Sequence, residues 1–161
     1  MLHPDYQYDP TYIKPVVDLI TQDCFDVVLG SRIRTIREAL AGGMPLYKYI
    51  GNRLLTAIEN RVSGQNLSEW HTGMRAYKRK VLEHIDFMSN SDDFVFDTQA
   101  LFQIIEKGYR IGEVPVPVRY LPEASTITFT RSVVYGIETV ATAIRYAIQQ
   151  RRAWTKELAK R

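Results

Sequence analysis

Five residues, Phe25-Asp26-Val27-Val28-Leu29, form a short, largely apolar run that stops at Gly30-Ser31. A run of this length, closed by turn residues, suits a strand buried on both faces, as in a parallel sheet. Just upstream, Ile13, Val16, Val17 and Ile20 recur at helical spacing within residues 10–23, with Pro10 suited to the first turn. A helix feeding a buried strand is one repeat of an α/β wind, so the chain is expected to be α/β.

The remaining segments keep up this alternation. Ala41-Gly42-Gly43-Met44-Pro45 is a breaker cluster, after which Tyr47, Ile50, Leu54, Leu55, Ile58 and Val62 make a helical stripe ending at Ser63-Gly64. Residues 72–77 read as extended and 78–84 as a short helix. Residues 97–107 read as a helix closed by Gly108. Residues 111–120 alternate, and two prolines among them predict an edge strand or extended rim. From Arg131 onward, Val133, Val134, Ile137, Val140, Ala141, Ile144 and Ile148 outline a long amphipathic helix. No repeat or low-complexity linker interrupts the chain, which reads as one structural unit.

The opening is unusual. Doubly wound domains normally begin with a strand and a phosphate- or base-binding loop. Here Met1-Leu2 resembles the tail of a strand running straight into a polar turn at residues 3–10, which suggests a start point interior to a domain.

Composition removes several classes of function. With 161 residues, 45% hydrophobic and 24% charged, the chain can bury a core. No stretch approaches the roughly 20 apolar residues of a membrane span, and Met-Leu-His-Pro-Asp has no signal-peptide character. The single cysteine, Cys24, excludes an internal disulfide and fits a reducing, cytoplasmic setting; its apolar neighbours suggest a core residue. Charge is concentrated at the C-terminus, where Arg145, Arg151, Arg152, Lys156, Lys160 and Arg161 face one acid, Glu157. Nucleic acid is not indicated, because no finger, aromatic RNA-binding signature or arginine-rich run is present.

Five segments carry residues suited to chemistry. His3-Pro4-Asp5-Tyr6-Gln7-Tyr8-Asp9-Pro10 offers an aspartate able to share a hard cation with a diphosphate, although an acidic turn residue is the plainer reading. Gly30-Ser31-Arg32 leaves a strand through a tight turn and presents a guanidinium fork suited to phosphate oxygens. In residues 67–79, Glu69, His71, Thr72 and Arg75 crowd around Gly73, and a carboxylate there could take a proton from a hydroxyl. Ser91-Asp92-Asp93-Phe94-Val95-Phe96-Asp97 holds three carboxylates, of which Asp92 or Asp93 could simply cap the next helix. Residues 113–126 form an extended rim ending in Arg119, Tyr120 and Ser125.

In this order, the five segments resemble the family 2 glycosyltransferases of GT-A fold, and among them members similar to polyprenyl- or dolichyl-phosphate sugar synthases. The family's metal motif, often continued as Asp-Gly-Gln-x-x-Pro, is matched by residues 3–10. A Gly-Ser-Arg follows one helix and one strand later. The Asp-x-x-Ser-Gly-Phe-Arg-like turn is matched by Glu69-Trp70-His71-Thr72-Gly73-Met74-Arg75, and the Glu-Val-Pro-Val strand by residues 113–116. Three departures accompany the match. His3 replaces the first aspartate of the metal motif, which suits Mn²⁺ better than Mg²⁺. Glu69 replaces the usual aspartate. The family's base-gripping βαβ units lie upstream of the metal motif, and here only two residues precede His3.

The resemblance implies a partial GT-A fold. Residues 1–130 would be the metal-motif and acceptor-side part, and residues 131–161 a basic amphipathic helix. It also implies sugar transfer, with inversion, from a nucleotide diphosphate-sugar to a lipid phosphate or glycan. Asp5 and His3 would hold a divalent metal, Mg²⁺ or Mn²⁺. Gln7, Ser31 and Arg32 would line the donor. Glu69, or else Asp93, would be the base or orient the acceptor, and Arg75, Arg119 and Ser125 would border the acceptor. An ionised lipid phosphate needs no base, so Glu69 would then only position it.

Without its upstream units, such a chain is expected to turn over no sugar nucleotide by itself. The alternative is a non-catalytic fragment or a partner subunit needing a separate nucleotide-binding half, and the partner could also be a further copy in a homo-oligomer. The C-terminal helix has two readings: its stripe packs on the domain with a solvated basic end, or its basic end and Trp154 lie on an anionic membrane.

Overall fold

The computed structural model describes residues 1, 7–33, 35–117 and 128–158. In it the apolar run becomes β1 (Val27–Ser31), buried along its whole length. β1 is the centre of a three-stranded sheet, antiparallel to β2 (Arg75–Tyr77) and parallel to β3 (Ile111–Pro115). The chain is therefore mixed α/β. β3 takes an edge position, where the missing N–H of a proline is tolerated. On the far side of β2, Met1 exchanges two backbone hydrogen bonds with Arg75, at 2.6 and 3.1 Å. The first residue thus continues the sheet by one strand position.

Alternation along β1 separates two cores. Val27 and Leu29 face a larger cluster with Trp70, Val81, Leu101, Phe102, Ile104, Ala143 and Tyr146. Val28 faces the opposite way, toward Val16, Met74, Val116 and Tyr8. The larger core is stapled by aromatic contacts: Phe102 stacks on Tyr146 at 4.4 Å and meets Trp70 at 5.0 Å.

Helices fill the connections largely where their periodicity predicts. A 3₁₀ turn (Pro10–Tyr12), capped by Asp9, leads into α1 (Ile13–Thr21). α2 (Ile36–Ala41) is a short helix with no strong apolar period, started by the Thr35 cap. α3 (Leu46–Ser63) ends at Gly64, whose φ of 73° is the left-handed conformation a helix C-terminus favours. α4 (Arg79–His84), α5 (Phe96–Glu106) and α6 (Phe129–Leu158) follow. Cys24 is exposed, so it is not the core residue its neighbours suggest.

The orientation of α3 and α6 departs from the usual arrangement, in which a helix turns its apolar stripe to the core. α3 buries Asn52, Thr56 and Glu59 and leaves Leu46, Tyr47, Ile50 and Leu54 exposed. α6 buries Thr139, Thr142, Ala143 and Tyr146 and leaves Val133, Val134, Ile137, Ile144 and Ile148 exposed. The two helices pack on each other, with Gly136 opposite Leu55.

Candidate functional site

The site forms where β1 ends and Gly30-Ser31-Arg32 leaves the sheet, at the carboxyl end of a parallel strand pair. Ligands of open α/β sheets bind at such an edge. A loop, residues 67–73, closes over this exit and is tied down by side chains from the sheet and from α3 and α6.

Glu69 is the anchor and has no solvent exposure. Its Oε2 accepts from the Arg32 backbone N–H at 2.7 Å, and its Oε1 accepts from Arg32 Nε at 2.8 Å and from Asn52 Nδ2 at 2.9 Å. Arg32 Nη2 also donates to Oε1, and to the His71 carbonyl at 2.6 Å. Burial pushes the Glu69 carboxyl up, but the Arg32 charge and its hydrogen bonds outweigh this and hold it below the ordinary carboxylate value. Lys48 on α3 is lowered from the usual lysine value, first by burial and then by the Arg32 charge. The Lys48 and Arg32 charges therefore act on each other at this corner.

Ser31 is buried and structural in its contacts. Its Oγ accepts from the Ile33 N–H at 3.2 Å and lies 2.7 Å from Ser68 Oγ. Ser68 Oγ and N–H, with the Glu69 N–H, reach the Glu113 carboxylate on β3 at 2.8 to 3.2 Å. Thr72 donates to the Gly30 carbonyl, and Tyr8 Oη accepts from the Gly73 N–H at 2.8 Å. These bonds bring Tyr8 against the loop, and Gln7 just before it is buried.

Beneath the loop lies a second buried cluster. His71 Nδ1 hydrogen-bonds Tyr135 Oη of α6, while its Nε2 faces Glu59 Oε2 at 3.0 Å, off the line of a good hydrogen bond. Glu59 Oε1 accepts from Thr98 Oγ1 of α5 at 3.1 Å. Burial, and then the Glu59 charge, push the Tyr135 hydroxyl well above its ordinary value.

Not every anticipated residue joins the site. Arg75 is fully buried and holds the loop from below: Nε donates to the Thr72 carbonyl and Nη2 to the Trp70 carbonyl, both at 2.8 Å, with an ion pair to Asp97 at 3.3 Å. Asp93 is exposed, and its Oδ1 accepts from the Phe94 N–H at 2.7 Å, a turn-capping contact. Among the described contacts none links Asp93 to Glu69. His3, Asp5, Arg119 and Ser125 lie outside the described residues. Among the described residues, no group of three or more His, Cys, Asp or Glu could hold a metal.

Lys48, Asn52, Glu59, Tyr8 and Tyr135 escaped the sequence reading. For three of them a signal existed. Lys48, Asn52, Thr56 and Glu59 recur at four- and three-residue steps, a polar stripe opposite the apolar one on the same helix.

Comparison with known proteins bears on the identity of this arrangement. Residues 1–86 match the model of glycosyl transferase family 2. The dolichyl-phosphate hexose transferase of Haloferax volcanii is 33% identical over 115 residues, covering 71% of this chain and 47% of that protein. A UDP-N-acetylglucosamine–dolichyl-phosphate N-acetylglucosaminyltransferase of Methanococcus voltae is 29% identical over 116 residues, covering 72% and 45%. A low-salt glycan biosynthesis hexosyltransferase of Haloferax volcanii is 30% identical over 113 residues, covering 70% and 26%. The chain thus spans less than half the length of each of these relatives. No solved structure matches it significantly.

Proposed function

The chain belongs to glycosyl transferase family 2, and from that premise we propose that it supplies the acceptor-side part of a GT-A enzyme moving a sugar from a nucleotide diphosphate-sugar to a polyprenyl-type lipid phosphate. The observation that carries the reading is the Arg32 guanidinium, fixed at the carboxyl end of β1 by buried Glu69. A guanidinium held at a strand end suits phosphate oxygens, and the Lys48 ammonium adds positive charge against the Glu69 and Glu113 carboxylates. The names of the dolichyl-phosphate relatives support a lipid phosphate as acceptor.

In the proposed reaction a phosphate oxygen of the acceptor attacks the anomeric carbon. The bond from that carbon to the nucleoside diphosphate breaks, and configuration inverts. The acceptor is already ionised, so no group need remove a proton. Glu69 then serves by positioning Arg32, in keeping with its complete burial. Gln7 borders the donor from the neighbouring segment. A divalent cation enters the proposal through Asp5 and His3 alone; when bound it would neutralise charge on the diphosphate.

The test pairs binding with turnover. Inorganic pyrophosphate and a short-chain polyprenyl phosphate should bind the chain, and Arg32→Ala should weaken pyrophosphate binding by roughly tenfold or more, the worth of one charge-assisted contact. Lys48→Ala should weaken it in the same direction. With UDP- and GDP-sugars, Mn²⁺ and polyprenyl phosphate, this chain alone should not exceed background, since it spans less than half of its relatives. Binding indifferent to both substitutions would remove the phosphate-site assignment.

A further inference from the structure

Arg32 and Glu69 meet in a way that leaves one motion of the guanidinium open. Arg32 Nε, at 2.8 Å, and Arg32 Nη2 both donate to the same carboxylate oxygen, Oε1. Oε2 is taken by the Arg32 backbone N–H at 2.7 Å. Two parallel bonds to two oxygens fix the plane of a guanidinium, whereas two bonds converging on one oxygen let it swing about that point. A further acceptor fixes the plane here: the His71 carbonyl, 2.6 Å from Nη2. The direction of that carbonyl therefore sets the direction of the fork.

The carbonyls on either side turn the other way. Those of Trp70 and Thr72 both accept from Arg75, through Nη2 and Nε, at 2.8 Å. Between these clamped neighbours, the His71 side chain is gripped at both ring nitrogens. Nδ1 hydrogen-bonds Tyr135 Oη of α6, and Nε2 faces Glu59 Oε2 of α3 at 3.0 Å. The Tyr135 ring also meets the imidazole at a right angle, with centroids 5.4 Å apart. Glu59 is itself held, since its Oε1 accepts from Thr98 Oγ1 of α5 at 3.1 Å. The His71 side chain is nearly buried and that of Glu59 wholly so. Apolar side chains at 59 and 135 would pack the same helices without the penalty of burying a carboxylate. They would not hold an imidazole by its nitrogens.

We propose that Glu59 and Tyr135 are positioning residues: by gripping His71 they aim its carbonyl, and through it the Arg32 guanidinium. Three helices, α3, α5 and α6, thus set the geometry of the strand exit by way of one loop residue. The consequence for phosphate binding rests on the transfer reading above; the orientation of Arg32 does not.

Two readouts on the whole 161-residue chain test it. In nitrogen-15 NMR spectra the Arg32 Nε–H signal, identified by its loss in Arg32→Lys, reports the fork directly. In the parent this hydrogen should exchange slowly with water. Tyr135→Phe and Glu59→Gln should each speed the exchange roughly tenfold, the worth of about one hydrogen bond. The Arg75 Nε–H, bonded to the Thr72 carbonyl, should keep its parent rate, whereas a general loosening of the loop would release both arginines. In titrations with inorganic pyrophosphate, each variant should bind about threefold to tenfold more weakly than the parent. Neither should lower affinity further in the Arg32→Lys background, which keeps the charge but has no fork to aim. Tyr135→Phe removes one oxygen and keeps the ring, so the test stands even if thermal melts show Glu59→Gln to be unfolded. Arg32 exchange at the parent rate in the folded variants, or release of Arg32 and Arg75 together, would overturn the proposal. So would losses of pyrophosphate affinity that add in full to that of Arg32→Lys. Release of Arg32 alone, in a chain that binds no pyrophosphate, would uphold the positioning role and remove the phosphate-site reading.

Discussion

Arg32 donates to Glu69 from its backbone and its guanidinium, and Asn52 completes the shell around a carboxylate with no exposure. Such a pair is worth little against an apolar replacement of both partners, yet losing one partner strands the other charge. Glu69→Gln removes the countercharge while keeping an acceptor for the Arg32 N–H, and should lower unfolding free energy by on the order of 3 kcal/mol. Arg32→Ala strands the carboxylate in the interior and should cost more. Urea unfolding of the two single variants and the double gives the coupling directly. Both residues were legible in the sequence, one as the fork after Gly30-Ser31 and one in the loop before Gly73. Their pairing was not, because it joins positions 37 apart that meet only when the loop folds over the strand end. The same limit explains Arg75: a cation beside a glycine turn looks available until the structure shows its donors spent on the Trp70 and Thr72 carbonyls.

Among the elements, helices and strands fell close to where period and turn residues placed them, and β3 took the edge its prolines required. What periodicity could not supply was which side of a helix faces inward. A moment reports that polar and apolar residues segregate, and the ordinary assumption puts the apolar side in the core. In α3 the side carrying Asn52, Thr56 and Glu59 turns inward because it meets a polar loop, Glu69 and His71, and not an apolar sheet face. Close packing also set a requirement invisible in the alternating pattern of β3. A methyl at Gly112 would sit 2.5 Å from the Phe25 ring, inside any real carbon contact. Gly112→Ala should therefore destabilise the protein by about 1–3 kcal/mol, the usual range for overpacking, read as a shift in urea midpoint with unchanged slope. Gly51→Ala, where nothing lies within 4 Å on a mid-helix position, should be neutral or stabilising.

Across the whole molecule, the sheet is fastened at both ends by buried carboxylates. At the carboxyl end stands Glu69; at the other, Asp26 opens β1 and accepts from Lys78 Nζ at 2.9 Å and from the Arg110 backbone and side chain at 3.1 and 3.2 Å. Burial raises the Asp26 carboxyl, but the hydrogen bonds from Arg110 and Lys78 prevail and depress it far below its ordinary value. Asp26 thereby joins the start of β1, the approach to β3 and the residue before α4 at one point. For a group lowered in the folded state, the stabilisation is fully present above the unfolded value and is lost as pH falls through the folded one. Asp26 and Glu69 share that sign, so both fastenings should loosen together in acid. The urea midpoint should be level from neutral pH to about pH 5 and fall increasingly below about pH 4, where unfolded carboxylates begin to bind protons. Asp26→Asn, which cannot titrate, should start lower at neutral pH and decline less steeply. A variant with the parent's slope would show that acid acts through other carboxylates and that the end of the sheet opposite the site does not depend on this ion cluster.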